Sequence, residues 1–208
     1  LDFKWTCNSR VDYVDPEMLE MMSGAGCWLI PWGIESANEQ IRKNVRKGTT
    51  DEKITRALEW SKQAGIMNWG YFIIGLPGET EETMERTIKF AIELDPMIAN
   101  FSMLTPYPGT IVYEIAKREG RMLVEDWEDY VFFEGKARYE MGEMTAEVIE
   151  RKWREAYRRF YLRPSRVVRI VTRKDFWNKW RRTLRKAFRT LFPREEKTEL
   201  KQAIEGKV

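Results

Sequence analysis

Residues 66–80 read IMNWGYFIIGLPGET, an apolar run that leads through a glycine- and proline-rich loop to a threonine. The apolar run predicts a buried strand over residues 66–74. Thr80 predicts the N-cap of a helix that continues to about residue 94, with Met84, Ile88 and Ala91 on its inner face. A strand that passes through a loop into a helix is the repeating unit of α/β folds.

The same pattern occurs on both sides of this stretch. Further strands are predicted over residues 3–7, 27–34 and 98–104, and helices over residues 16–24, 37–47, 49–65 and 110–119. Strands that recur every roughly 30–40 residues, each followed by a helix, predict βαβ units and a parallel sheet with right-handed crossovers. Residues 121–144 are predicted to be irregular, and helices are predicted from Thr145 to about residue 161, from Pro164, and over residues 175–191.

The charge of the chain divides it into parts. The 208 residues carry a net charge of +3, but residues 151–194 contain 17 Lys/Arg and two acids, whereas residues 1–150 contain 16 Lys/Arg and 27 acids. We therefore predict a βα domain over residues 1–120, a connection and closing helix over 121–162, and a basic amphipathic helical tail over 163–208. No run of about 18 apolar residues predicts a membrane-spanning helix.

Two residue types limit the chemistry. The sequence contains no histidine, which excludes histidine triads and histidine metal sites built from this chain alone. Cys7 and Cys27 form no C-x-x-C pair, and they predict reduced thiols more than a disulfide. Because the chain begins at Leu1, inside an apolar stretch, we expect it to be part of a longer protein.

Polar or glycine-rich segments follow each predicted strand. Asn8 and Arg10 follow the first, Glu35 the second, the loop 75–80 the third and the loop 105–110 the fourth. Active residues of parallel α/β folds lie at the carboxyl ends of strands, so these segments are expected on one rim. Taken singly, a loop such as 75–80 is more often an ordinary strand-to-helix turn than a ligand site, and an acid after a strand is a helix cap about as often as a ligand.

Their joint order is specific. The series W-x-C-x-x-R-x-D, A-G-C-x5-G-I-E-S, K-x-x-T-x-E, A-G-I, F-I-x-G-L-P-G-E-T-x-E-T and P-Y-P-G-T covers residues 5–110. It resembles the second half of radical S-adenosylmethionine (SAM) enzymes, in particular the branch with an N-terminal cobalamin-binding domain. The resemblance implies a partial TIM-like (β/α) barrel, with about four of the six βα units of a (β/α)6 barrel, followed by a helical C-terminal extension.

The resemblance also implies an activity for the parent protein. Such enzymes cleave SAM reductively at a [4Fe–4S] cluster and use the radical for methylation, cyclisation or rearrangement at an unactivated carbon. The C-x-x-x-C-x-x-C motif that holds the cluster would lie upstream of Leu1, so this segment alone is expected to be inactive and to contain no metal ligands. The implied partners are a small-molecule or lipid substrate and a reductant such as flavodoxin or ferredoxin, and cobalamin would bind to a domain upstream.

Site residues follow from the resemblance position by position. Glu35 lies where relatives bind the SAM ribose, and Lys47 where several relatives pair an Arg with the methionyl carboxylate. Asn8 and Arg10 match polar positions on the third barrel strand. Backbone groups of Ile73 and Gly75 are expected to face the adenine. Tyr71 departs from a ribose-binding Asp of some relatives, and the loop 106–110 is expected to be structural.

Three interpretations of the basic tail stay open. Aromatic and basic residues in 163–194 fit an interfacial helix on anionic lipid, and a helix packed on the barrel fits equally well. Nucleic-acid binding is disfavoured. The expected location is the cytoplasm, with peripheral contact at the inner face of the membrane.

Two other function classes are kept as alternatives. One is a non-catalytic remnant or membrane-associated adaptor that lacks the cluster half. The other is a phosphate-binding α/β barrel enzyme, which predicts a phosphate site at the loop 75–80 and no effect of SAM on stability.

Overall fold

The computed structural model describes residues 3–124, 126, 128, 130 and 135–171. The chain divides after Phe160 into two compact units, 1–160 and 161–208. Each is described separately below.

A parallel four-stranded sheet forms the centre of the first unit. Its strands are β1 (Trp5–Thr6), β2 (Cys27–Glu35), β3 (Met67–Ile74) and β4 (Ile98–Met103), and they lie in sequence order. The predicted strands are confirmed, although β1 is only two residues long. Sequential order in a parallel sheet means that each connection is a crossover to the next strand, which is the arrangement of a (β/α) barrel wall.

Helices make the connections between the strands. They are α1 (Pro16–Gly24), α2 (Glu39–Asn44), α3 (Asp51–Gln63), α4 (Glu81–Leu94) and α5 (Ile111–Glu119). Side chains of Asp15, Asn38, Thr50, Thr80 and Thr110 accept backbone N–H groups at the five N-termini. Each such cap stabilises its helix by about 1 kcal/mol. The capping signals in the sequence predict three of these five starts to within about one residue and the starts of α2 and α3 to within two.

The core lies between the sheet and these helices. Phe72 of β3 stacks on Phe101 of β4 with ring centroids 5.2 Å apart, and both rings are buried. Trp32 Nε1 donates to Oδ1 of the buried Asn68, whose Nδ2 donates to the carbonyl of Leu58 in α3. The alternate side chains of β3, among them Trp69 and Tyr71, are only half-buried on the opposite face, which would be the interior of a closed barrel.

The helix α6 (Ala146–Tyr161) covers the free edge of β4. Trp153 Nε1 donates to the carbonyl of Phe101 at 2.6 Å, and the amide of Phe101 donates to the hydroxyl of Tyr157 at 3.2 Å. These bonds satisfy edge groups that would otherwise offer a template for another strand.

Two predictions about local structure are wrong. Residues 121–144 are not wholly irregular, because β5 (Arg121–Met122) and β6 (Tyr139–Glu140) pair antiparallel. The helix after β2 occupies residues 39–44 rather than 37–47. It begins late because Asn38 caps it, and it ends early where Arg46 adopts a φ of +60°.

The second unit contains α7 (Pro164–Val171), which begins at the predicted proline. Leu162, Val167 and Val168 expose large parts of their apolar side chains. Within the described part of the chain, no helix is long and apolar enough to cross a membrane. The helix predicted over residues 175–191 lies outside the described residues.

Candidate functional site on the rim of the sheet

Glu35 and Lys47 form an ion pair at the carboxyl end of β2. The ammonium of Lys47 contacts Oε1 of Glu35 and lies 3.3 Å from the carbonyl of Gly33. Both side chains are largely buried, with 14% of Glu35 and 27% of Lys47 exposed. Glu35 has a φ of +69°, a conformation that is uncommon for a residue other than glycine.

Gly33 provides the space for this pair. A Cβ at position 33 would collide with the Lys47 ammonium and would lie 2.8 Å from Glu35 Oε1. The glycine therefore lets the ion pair lie directly over the backbone of β2. The regular register between β2 and β3 also shifts here, since Gly33 pairs with Tyr71 and Glu35 with Phe72.

Ser36, the next residue, is fully buried and held from several sides. Its carbonyl accepts from Nη1 of the buried Arg42 at 2.6 Å, and its hydroxyl lies 3.2 Å from Oγ1 of Thr87. Arg42 also donates to Oδ1 of Asp51 and to the carbonyl of Thr49. This network fixes the backbone next to Glu35.

Glu79 connects this turn to the loop that follows β3. Its Oε2 accepts the amides of Gly75 and Leu76, both at 2.9 Å, and its Oε1 lies 3.2 Å from the hydroxyl of Ser36. The residue is only 4% exposed. Burial raises the pKa of Glu79 from 4.5 to about 7, against the opposing effect of these hydrogen bonds.

Gly75 is held on both sides of its peptide. It has a φ of +86°, and a Cβ there would press against the side chain of Ile149 in α6 at 3.3 Å. Its amide donates to Glu79, and its carbonyl accepts the hydroxyl of Tyr139 from β6. Burial, together with the nearby Glu79, raises the pKa of Tyr139. The carbonyl oxygen has two lone pairs, of which the Tyr139 hydroxyl occupies one.

The other residues expected on the rim lie at the end of β1 and on β3. Asn8 and Arg10 are exposed, and Arg10 forms a two-pronged ion pair with Asp12 at 2.8–3.0 Å. Ile73 is half-buried in β3, where it pairs in register with Ser102. The sheet topology thus places all four strand ends on one rim, whereas direct contact joins Glu35 to Lys47 and Glu79 to Gly75.

No cluster of metal-ligating side chains occurs in the described residues. Cys7 and Cys27 are free thiols, and burial raises the pKa of Cys27. A cavity of about 510 Å³ lies beside the loop after β4, lined by residues that include Pro108, Tyr113, Lys117 and Arg121. None of its lining residues belongs to the loops that carry Glu35 and Glu79.

Sequence analysis named Glu35, Lys47 and Gly75 as candidate site residues, but it assigned no role to Glu79, Ser36, Arg42 or Tyr139. Glu79 and Ser36 belong to the motifs G-L-P-G-E-T and G-I-E-S, so a signal was present. Arg42 and Tyr139 carry no such signal, because their roles depend on packing between distant segments.

The architecture defines the class of the molecule: a half-barrel of parallel strands with a polar rim at their carboxyl ends. A family model described as the radical SAM superfamily matches residues 1–91. The chain is 37% identical over 171 residues to an uncharacterized methyltransferase of Pyrococcus horikoshii, covering 82% of this chain and 37% of that protein. It is 32% identical over 163 residues to the anaerobic magnesium-protoporphyrin IX monomethyl ester cyclase of Rubrivivax gelatinosus, covering 76% and 28%.

A solved structure has the same fold. It is the radical S-adenosylmethionine methyltransferase TsrM of Kitasatospora setae, with tryptophan substrate and aza-SAM bound. The match has a TM-score of 0.50 and 22% identity, and it covers 58% of this chain and 25% of that one. The chain is thus similar to the radical SAM superfamily over residues 1–91, and it has the fold of part of a radical SAM barrel. It spans roughly a third of the length of the two curated relatives.

Proposed function

We propose that this chain supplies the SAM-binding rim of a radical SAM enzyme. The observation that carries the proposal is the Glu35–Lys47 pair over Gly33, at the carboxyl end of a strand within the family-matched segment. An adjacent carboxylate and ammonium suit a ligand that has hydroxyls, an ammonium and a carboxylate, as SAM has. Glu35 would accept ribose hydroxyls, and Lys47 would attract the methionyl carboxylate as a point charge.

The remaining predicted ligand groups support this assignment to different degrees. Ile73 and Gly75 lie on the neighbouring strand end, where the carbonyl of Gly75 keeps one lone pair for a donor on the adenine. Asn8 and Arg10 are exposed at the end of β1, and Arg10 would have to exchange Asp12 for a ligand carboxylate. The proposal assigns the stronger contacts to Glu35 and Lys47.

A [4Fe–4S] cluster does not fit this chain by itself. Such a cluster needs three or four thiolates, and the sequence has two cysteines, of which Cys27 is buried. The cluster ligands would therefore come from residues outside this sequence. When bound, the cluster supplies the electron that cleaves SAM, while the residues described above hold SAM and exclude water.

Methylation or cyclisation is the proposed reaction class for the whole protein. The two curated relatives, a methyltransferase and a cyclase, support it. The proposed partners are a small-molecule substrate and a reductant such as flavodoxin or ferredoxin in the cytoplasm. Cobalamin stays a prediction from the sequence resemblance, and the absorbance spectrum of the purified full-length protein would test it.

The direct test is an anaerobic assay on the full-length protein with a reconstituted cluster. We expect dithionite to drive release of 5′-deoxyadenosine or S-adenosylhomocysteine from SAM. Lys47→Met should weaken SAM binding about tenfold, the usual effect of losing one charge-assisted contact. An active cluster-loaded protein in which Lys47→Met binds SAM like the wild type would contradict the assigned role.

A second proposal concerns the basic tail, which we infer to contact anionic membrane surfaces. Val167 and Val168 of α7 are exposed, and Arg163 and Arg169 lie near them in the sequence, in a segment of high positive charge. The full chain should co-sediment with phosphatidylserine vesicles but not with phosphatidylcholine vesicles. Arg181→Glu with Arg182→Glu should release it, whereas the matched change Arg56→Glu with Arg118→Glu should not. Equal sedimentation with both vesicles would refute the proposal.

A further inference from the structure

We propose that Glu79 is a positioning residue whose protonated carboxyl joins the turn after β2 to the loop after β3, so that the rim keeps its shape only while Glu79 is neutral. The inference rests on the proposed function, since the rim is the proposed SAM site. It adds that the SAM affinity of this rim depends on pH and that Glu79 is the residue responsible.

A chain of oxygen–oxygen contacts connects Glu79 to the first turn of α4. Oε1 of Glu79 lies 3.2 Å from the hydroxyl of Ser36, which lies 3.2 Å from the hydroxyl of Thr87. The hydroxyl of Thr87 lies 3.1 Å from the carbonyl of Thr83, one turn earlier in α4. Three contacts thus connect four oxygen atoms, from a carboxyl group at one end to a carbonyl at the other.

Each contact needs one proton, and the hydroxyls supply only two. The carbonyl of Thr83 can only accept, so Thr87 must donate to it. Ser36 has one proton for two contacts, so when its hydroxyl donates to Oε1 of Glu79 no hydroxyl proton is left for the contact between Ser36 and Thr87. The nearby amides do not supply the missing proton. The Ala37 amide donates to Oγ1 of Thr87 and the Asn38 amide to Oγ of Ser36, so each uses only a lone pair of its hydroxyl.

A protonated Glu79 supplies the missing proton. Its Oε1–H would donate to Ser36, and its Oε2, as the carbonyl oxygen, would accept the amides of Gly75 and Leu76 at 2.9 Å. Every contact then has one donor and one acceptor. If Glu79 is ionised, Ser36 donates to the carboxylate, lone pairs of Ser36 and Thr87 face each other, and the contact between these two hydroxyls weakens. Burial of Glu79 favours the same neutral form.

The charged and titratable groups around Glu79 lie on the neighbouring elements β6, α2, the segment after α2, and α4. Tyr139 of β6 faces it and is held neutral by burial, while Arg42 of α2 is engaged with the carbonyl of Ser36 and with Asp51. Lys47 is paired with Glu35, and Glu81 of α4 is paired with Arg151 at an exposed position. In this arrangement each cation has another partner and is not committed to a Glu79 carboxylate.

The chain of hydrogen bonds bears directly on the rim. Ser36 follows Glu35, whose φ of +69° must be maintained by its surroundings, and Gly75 lies at the end of β3. Weakening the contact between Ser36 and Thr87 loosens the turn after β2 from α4, next to Glu35. SAM affinity should therefore fall as Glu79 loses its proton.

The first arm of the test does not involve SAM. In the full chain, amide exchange is measured by NMR from about pH 6 to about pH 8, with protection factors corrected for intrinsic exchange, and the carboxyl carbon of Glu79 is titrated in parallel. We expect the Glu79 carbon to titrate near neutral pH and the protection of the Ala37 and Asn38 amides to fall about fivefold over this range. Glu79→Gln keeps a donor and an acceptor, so it should remove this pH dependence, as should Ser36→Ala. The control Glu52→Gln, an exposed acid of α3, should retain it.

The second arm measures SAM dissociation constants for the full-length protein over the same pH range. The wild type should bind about fivefold more weakly at the upper end, and Glu79→Gln should bind equally across it. A Glu79 carbon that titrates at the ordinary pH of a glutamate, or protection that changes with pH equally in Glu79→Gln, would overturn the proposal. If amide protection changes with pH as expected but the protein does not bind SAM, the role of Glu79 in the rim is supported and the proposed SAM site is refuted.

Discussion

Two groups of carboxylates in the first unit behave in opposite ways. Glu79 is buried, pairs with no cation of the described residues, and has a pKa raised to about 7. Glu81, the first residue of α4, is half-exposed on the surface between α4 and α6. Hydrogen bonds from Arg151 lower its pKa. Solvent screens exposed ion pairs but does not screen a buried carboxyl. The number of ion pairs on a surface is therefore a poor guide to which charged groups affect stability most.

The surface between α4 and α6 has many such pairs. Arg151 pairs with Glu81, and Lys152 and Arg159 pair with Glu85 and Glu155. By contrast, the Glu79 cluster, which consists of Glu79 and its hydrogen-bond partners Ser36, Gly75 and Leu76, contains only buried residues. The comparison predicts that removing one group from the cluster costs more than removing a complete ion pair from the surface.

The largest effect is expected for Glu79→Ala. It leaves the buried amides of Gly75 and Leu76 without their acceptor, at a cost of about 4 kcal/mol in the free energy of unfolding. Urea denaturation at about pH 5 measures this loss. Glu79→Gln, which can replace both partners, is the control and should lose about 1 kcal/mol. Equal losses for the two variants would contradict this account, because glutamine keeps both the side-chain volume and an acceptor for the two amides.

The next effect is the dependence of stability on pH. Because the folded protein binds the Glu79 proton more tightly than the unfolded chain does, stability falls as pH rises from 4.5 through about 7 and then levels off. The contribution of this residue falls by about 3 kcal/mol over that window. Parallel urea titrations of wild type and Glu79→Gln isolate it as their difference. A difference that stays constant with pH would mean that Glu79 has an ordinary pKa.

The smallest effect is expected for the exposed pair. Arg151→Ala, Glu81→Ala and the double variant should unfold at urea concentrations that differ little from the wild type, and the coupling between the two residues should vanish at high salt. A double-mutant cycle at low and at high salt makes the comparison. A coupling as large as the Glu79→Gln effect would remove the distinction between buried and exposed carboxylates.

The success of sequence analysis differs between these regions for a physical reason. Strands and helices could be predicted because periodicity and capping residues such as Thr80 are local signals. The β5–β6 pair was missed because each strand has two residues and their pairing depends on segments 17 residues apart. Glu79 was visible as a loop residue, but its burial depends on Tyr139, Ser36 and α6, which only the folded chain brings together.

Glu35 and Lys47 illustrate the other limit. Their roles came from the resemblance, and the ion pair between them is a finding of the structure, since 12 residues separate them. The space that Gly33 gives to this pair was likewise not visible in the sequence. Local patterns therefore predict the elements, whereas contacts between the elements define the candidate site.

The most direct test of the central claim is the dissociation constant of SAM for the full-length protein carrying Glu35→Ala. Glu39→Ala, an exposed acid on α2, is the matched control. If the rim of this half-barrel binds SAM, Glu35→Ala should weaken binding by about tenfold or more, and Glu39→Ala should leave it unchanged. Equal SAM affinity in the wild type and both variants would contradict the claim.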